Sequence, residues 1–422
     1  MLRNNKLAIA VVCFVFATFF CACNGTTATE VRLPVLNSSL TQVSTDGVDA
    51  AEPATGIAPD QSFYLAWVNH EPNNRADVMI SHYETGKAPS PVRVNPEAGI
   101  ATAWRGDQPS IAVGKNGAVY VVWTARVESN GKKGTDVYLS VSSDMGRTFA
   151  TPVKINDDKV SAAHGMHSLA VADDGRIFVS WLDERNVQAP KPSAKAEGHH
   201  MESNRELFIA DSTDGGRTFS RNRKIAGDAC PCCKTAMAIA ADGTVYVGWR
   251  HVLPGSYRHI AVASSSDAGA TFSKPVIVSD DKWLLHGCPV SGPSLAVGDN
   301  GTLKVLWYAA GEANAPGLYF SESKDKAQSF SPRQLIAQEG VRGTPVLTGA
   351  NGNNPGVAVW EMTGASTAET RFRPVGHDGP TGTIGTNVEL PAAASTKDGL
   401  FVAYVVKVNE KRSVWLTKAD FK

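Results

Sequence analysis

One unit recurs along this chain and limits what it can fold into: an apolar run, a turn containing Gly, a strand ending in Trp, a polar loop and further strand. The clearest copies run from Pro109-Ser110-Ile111-Ala112-Val113 through Lys115-Asn116-Gly117 to Val119-Tyr120-Val121-Val122-Trp123, and from Ser168-Leu169-Ala170-Val171 through Asp173-Asp174-Gly175 to Ile177-Phe178-Val179-Ser180-Trp181. Two more lead to Trp249 and Trp307, and weaker copies end at Trp67, Trp360 and Tyr404. β-Branched and aromatic residues fill the runs, and Asn-Gly or Asp-Gly turns bound them, which predicts strands rather than helices. A period of about 45 to 70 residues suits a four-stranded propeller blade with variable loops. Seven copies predict an all-β propeller of seven blades.

The last copy supplies only three strands, ending near Trp415 to Phe421. Val31-Arg32-Leu33-Pro34-Val35-Leu36-Asn37 resembles the closing strands at Pro152-Val153-Lys154-Ile155-Asn156 and Pro275-Val276-Ile277-Val278, so 31–37 is expected to fill the gap. That would remove an open sheet edge and make 31–422 one domain. Ahead of it, Arg3 and Lys6 precede an apolar run from Leu7 to Phe20 and then Cys21-Ala22-Cys23. This is the layout of an export signal over 1–22, with a lipid on Cys23 and a polar tether over 23–30. The run is shorter than the roughly 18 residues of a spanning helix. An exported protein, lipid-anchored in a bacterial envelope at the periplasm or outer membrane, is the expectation. The 41 Lys+Arg balance 41 Asp+Glu. No net field draws in nucleic acid, and membrane contact is expected only through the anchor.

A second signature lies in the turns before the closing strands. Ser142-Ser143-Asp144-Met145-Gly146-Arg147-Thr148-Phe149 recurs as Ser212-Thr213-Asp214-Gly215-Gly216-Arg217-Thr218-Phe219 and as Ser265-Ser266-Asp267-Ala268-Gly269-Ala270-Thr271-Phe272. A fourth copy, Ser323-Lys324-Asp325-Lys326-Ala327-Gln328-Ser329-Phe330, has lost its Gly. Asp bonds the amides of its own turn, Gly permits a positive φ, and Phe anchors the turn to the sheet. This is the Asp box, and over the mature chain the sequence resembles the sialidase-like (BNR/Asp-box) β-propeller superfamily. The resemblance implies the propeller fold, with six blades as the alternative count.

In such a blade the loop leading into the innermost strand lies at the end opposite the Asp boxes. Those loops carry Trp104-Arg105-Gly106-Asp107, His164-Gly165-Met166-His167, Cys230-Pro231-Cys232-Cys233, His286-Gly287-Cys288-Pro289 and Val341-Arg342-Gly343. The long loop from Leu182 to Arg205, with His199-His200-Met201, shares that face. Only one cysteine besides the three in Cys230–Cys233 lies beyond residue 23. Thiolates and imidazoles select zinc or copper, and soft sulfur at low coordination number favours Cu(I). Cys230, Cys232, Cys233 and Cys288, with His286, His164, His167 and Met166, are therefore the expected metal ligands, copper first and zinc the alternative. An envelope protein that receives or delivers the metal would be the partner. The competing reading needs no metal: in an oxidising compartment Cys288 pairs with Cys230, Cys232 or Cys233 as a staple.

The family resemblance supplies a rival function, exo-sialidase or a related glycoside hydrolase. Sialidases grip a substrate carboxylate with three arginines, attack with a Tyr paired to Glu, and use an Asp acid/base. Carried to this chain, that implies Arg105 and Arg342 as carboxylate ligands, Asp107 as acid, and Tyr308 with Glu361 as the attacking pair. Val31-Arg32-Leu33-Pro34 resembles the family's Arg-Ile-Pro motif, although the repeat places it on a closing strand. A third reading is a ligand- or protein-binding platform without chemistry.

Overall fold

The computed structural model describes residues 33–36, 40–83, 90–129, 131–187, 204–311, 316–338, 340–350, 354–363, 367–376 and 379–422. The proposed leader, tether and Cys23, together with Arg32 and His199-His200-Met201, lie outside the described residues. Apart from one short 3-10 turn at Pro72–Asn74, the described elements are all strands, paired antiparallel. Among the described residues no helix is long and apolar enough to cross a membrane.

The strands fall into successive antiparallel groups, each begun by an inner strand. These inner strands are Asp49–Ile57, Ser110–Val113, His164–Val171, Ala236–Ile239, Ser294–Val297, Val341–Leu347 and Val388–Thr396. Each packs against the next, and the last packs back on the first, so the contacts run in cyclic order. Pro34–Leu36 pairs with the final strand, register Pro34 to Phe421 and Leu36 to Ala419. The Trp in the second strand of each repeat that has one is driven inward by strand alternation: Trp67, Trp123, Trp181, Trp249, Trp307 and Trp360 are all buried.

The Asp-box turns are built from local bonds. Asp144 Oδ1 accepts from Arg147 N (3.1 Å) and Thr148 N (2.9 Å), its Oδ2 accepts from Thr148 Oγ1 (2.6 Å), and Ser142 Oγ accepts from Gly146 N (2.8 Å). Asp267 keeps both Thr271 bonds while Ala270 N donates to its main-chain carbonyl instead (3.3 Å), and Asp214 repeats the pattern. The fourth box keeps it without Gly, because Lys326 and Ala327 themselves take positive φ (59° and 65°). All four carboxyls are held below the ordinary value of 3.8, chiefly by hydroxyl bonds from Thr148, Thr218, Ser265 and Ser329, with Asp325 at about 2. A depressed carboxyl adds stability that is complete above its unfolded pKa and is lost as pH falls through the folded one. The melting temperature should hold above about pH 4 and decline toward about pH 2. Replacing all four aspartates with asparagine should flatten that acid limb in circular-dichroism melts; an unchanged limb would assign the acid loss to other carboxyls.

Sequence reading did not anticipate how the inner strands begin. Register shifts interrupt them between Ala51 and Ala54, Gly165 and Ser168, Arg342 and Val346, and Glu389 and Ala392. Each shift holds a residue of positive φ: Glu52, Met166, Gly343 or Leu390. Such bulges re-aim side chains at a sheet's rim. The signal was present, since Glu52-Pro53 and Leu390-Pro391 put proline where a ladder amide is absent.

Candidate functional site

The lead-in loops of four successive groups enclose a pocket of about 480 Å³, lined by Trp104, Asp107, His164, Arg205, Cys232 and Cys288 among others. Two glycines make its walls possible. A Cβ on Gly106 would meet the Trp104 ring at 2.5 Å, and one on Gly165 would meet Asp107 Oδ2 at 2.8 Å. Trp104 is 44% exposed at this pocket.

Asp107 is buried, and its Oδ1 accepts from Met166 N at 2.7 Å. Burial pushes its carboxyl up, against the pull of the Lys234 ammonium 3.9 Å away. Burial likewise brings Lys234 down to about 8, with Asp107 opposing, and holds His167 neutral, well below 6.5. Lys234 donates to Gln108 O, tying the cysteine loop to the Asp107 loop.

Cys230, Cys232 and Cys233 do come together, with Sγ separations of 3.9 Å (Cys230–Cys232), 3.9 Å (Cys232–Cys233) and 3.5 Å (Cys233–Cys230). All three are buried, and Met166 packs in the same apolar cluster. Cys232 is bonded to Cys288 in a disulfide, and Cys230 and Cys233 are free thiols. In this state neither Cys232 nor Cys288 offers the thiolate that was expected of it, since both sulfurs are spent on the staple, and Cys288 is exposed. The Cys230 thiol is lowered to about 6, first by the hydrogen bond from Cys233 and then by the Arg258 and Arg250 charges, against burial. Cys233 is pushed well up by burial.

The histidines do not join the sulfurs. The His164 ring contacts Thr135 O through Nδ1 (2.6 Å) and turns Nε2 toward Asp158 (3.3 Å) and Asp183 (3.5 Å). His167 Nδ1 meets Ser110 Oγ at 3.0 Å, and its Nε2 lies 3.8 Å from Asp107. His286 is exposed, and the three cysteines alone form the metal-capable group among the described residues. The bulge at Met166 turns successive side chains away from where plain alternation would put them.

The rival constellation assembles differently from the expectation. Arg105 Nη2 donates to Glu361 Oε2 (2.7 Å) and its Nη1 to Glu389 Oε2 (3.2 Å). Arg342 donates to Glu361 and lies 3.5 Å from Glu389. Both guanidinium groups are therefore neutralised by carboxylates of the protein, and Glu389 is a partner that sequence reading missed. Tyr308 does not pair with Glu361, whose oxygens are taken by the two arginines and by Leu390 N (3.0 Å). The Tyr308 ring instead meets Trp283 edge-on at 5.4 Å, and its carbonyl accepts from Arg250.

No curated protein sequence matches the chain. Among solved structures, a Dyadobacter fermentans protein of unknown function aligns at 14% identity and TM-score 0.51, covering 92% of this chain and 100% of that one. A PL25 ulvan lyase aligns at 11% identity and TM-score 0.56, covering 90% and 96%. A Hadza microbial sialidase aligns at 12% identity and TM-score 0.50, covering 82% and 74%. At these identities the likeness is one of fold, that of the sialidase-like β-propellers. The BNR repeat-like domain matches residues 61–401, a span that holds all four Asp-box turns and the lead-in loops from Trp104 to Val341. Repeat, turn chemistry and match agree, and the chain belongs to the BNR repeat-like domain family.

Proposed function

We propose that the pocket beside Asp107 binds an acidic sugar and that the protein is a glycoside hydrolase, with Asp107 as proton donor. One observation carries this: a carboxyl kept toward its protonated form by burial lines a pocket that also presents an exposed indole. A raised carboxyl pKa is what general-acid work on a glycosidic oxygen requires. An exposed indole supplies a flat apolar face beside polar groups. Arg205 also lines the pocket, but its charge is held by Glu184 at 2.6 Å, so it is not assigned the grip on a substrate carboxylate. Arg105 and Arg342 are not assigned that role, since a substrate carboxylate would have to displace Glu361 and Glu389. That proteins of the same fold are named as a sialidase and an ulvan lyase supports a glycan ahead of other polar ligands.

The test is incubation with sialosides and uronate-containing oligosaccharides, followed by mass spectrometry of the products. Asp107→Asn keeps the acceptor for Met166 N, and it should lower kcat by about 10²- to 10⁴-fold with KM little changed. Full turnover in that variant, or no cleavage of any acidic glycan by the native protein, would sink the proposal.

A further inference from the structure

The thiol cluster is not used by that chemistry, and the groups around it carry a separate conclusion. We propose that Cys230, Cys232 and Cys233 form a three-thiolate site for Cu(I), completed when the Cys232–Cys288 disulfide is reduced.

The sulfur spacing fits a trigonal ion. A metal–sulfur bond of about 2.3 Å places three sulfurs about 4 Å apart around a trigonal ion. The three Sγ separations of 3.5, 3.9 and 3.9 Å match that triangle without movement of the main chain. No histidine or carboxylate stands with them among the described residues, and the Cys288 sulfur that reduction frees lies outside the group of ligand atoms within 4.8 Å of one another, so the site holds three ligands. Low-coordinate all-sulfur sites select Cu(I) over Zn(II), which takes four ligands.

The surrounding charge favours the same ion independently of spacing. Arg250 and Arg258 are buried, and their hydrogen bonds go to the carbonyls of Ser291, Tyr308 and Leu285. Nη1 of each is buried with no hydrogen-bond partner among the described residues. Neither has a carboxylate partner among the described residues, and although Arg250 lies over the Trp283 ring at 4.8 Å, a buried guanidinium without a counter-ion is costly. Three thiolates around one Cu(I) carry two negative charges, the complement of two guanidinium groups.

A reductant also has a route to the disulfide. The staple reaches the pocket through Cys232 and Cys288, whereas Cys230 and Cys233 do not line it. An external dithiol entering there would give two electrons to the disulfide. It becomes a disulfide itself and leaves Cys232 and Cys288 as thiols. Copper then binds without any change of oxidation state: three S–Cu bonds form as the remaining S–H protons pass to solvent.

The experiment is an anaerobic titration of the full protein with Cu(I) against a chromophoric chelator such as bicinchoninate, before and after reduction with a phosphine that is then removed. The reduced protein should withdraw one equivalent of copper per chain, and the disulfide form should bind at least about 100-fold more weakly. Cys288→Ser should bind copper without prior reduction. Cys233→Ser should lose the tight site while keeping the β-sheet circular dichroism. Equal binding by reduced and oxidised native protein, no uptake by the reduced protein, or preference for Zn(II) would overturn the proposal. The comparison on native protein needs no variant to fold, and because it uses no glycan its outcome is separate from that of the hydrolase assay.

Discussion

Removing Arg105 and Arg342 together, as Arg105→Leu with Arg342→Leu, is expected to cost about 3–5 kcal/mol of stability. The reason is Glu361, which is only 2% exposed and has both carboxylate oxygens committed to the two arginines, with Leu390 N as its remaining donor. Without them a buried carboxylate faces leucine, and a single amide bond cannot offset that. Each arginine is itself partly exposed, so either one alone should cost much less. The decisive comparison is the triple variant with Glu361→Gln, which removes the stranded charge and should recover most of the loss. Urea unfolding followed by tryptophan fluorescence measures all four proteins. A triple variant no more stable than the double would mean that the network acts through packing, not charge.

Trp307→Ala should be comparably damaging, at about 3–5 kcal/mol. The indole is fully buried, packs near Tyr319 with centroids 6.1 Å apart, and donates from Nε1 to Asp281 Oδ2 at 2.8 Å. Alanine would leave a cavity and also deprive a buried carboxylate of one donor, leaving it to Arg333. Trp307→Phe refills most of the volume but not the bond, and should fall between alanine and native. Trp104 is the control, because its half-exposed ring supports the pocket and little of the core. Trp104→Ala should leave the melting temperature nearly unchanged and raise KM for an acidic glycan. A large stability loss there would make Trp104 a structural residue.

What could be read in the sequence follows the range of the interaction involved. Strands, buried tryptophans and Asp boxes rest on alternation and on bonds within a few residues, and each was legible at its own position. That the cysteines share a face was legible too, since it needs only the order of strands within one repeat. Where His164 and His167 point was not. Their partners, Thr135 and Ser110, stand 29 and 57 residues away, and a bulge between the two histidines resets alternation. The same holds for the choice of Cys232 by Cys288 and for the reach of Arg105 to Glu389, 284 residues further on. Such pairings belong to the assembled rim and leave no local trace.

The pairing of Pro34–Leu36 with the final strand has a consequence for how the molecule is made. Synthesis is vectorial, and successive groups can form in turn as they leave the ribosome. The first described strand must nevertheless wait for the last, which is the longest closure among the described strands. Until then the nascent protein is an open arc with sheet edges at both ends, a form that invites pairing with a neighbour. The clasp fastens only when Ala419–Phe421 reaches Pro34–Leu36, so a chaperone that shields the arc would act before that pairing, and a chain interrupted short of Ala419 would expose the edge that the finished protein hides.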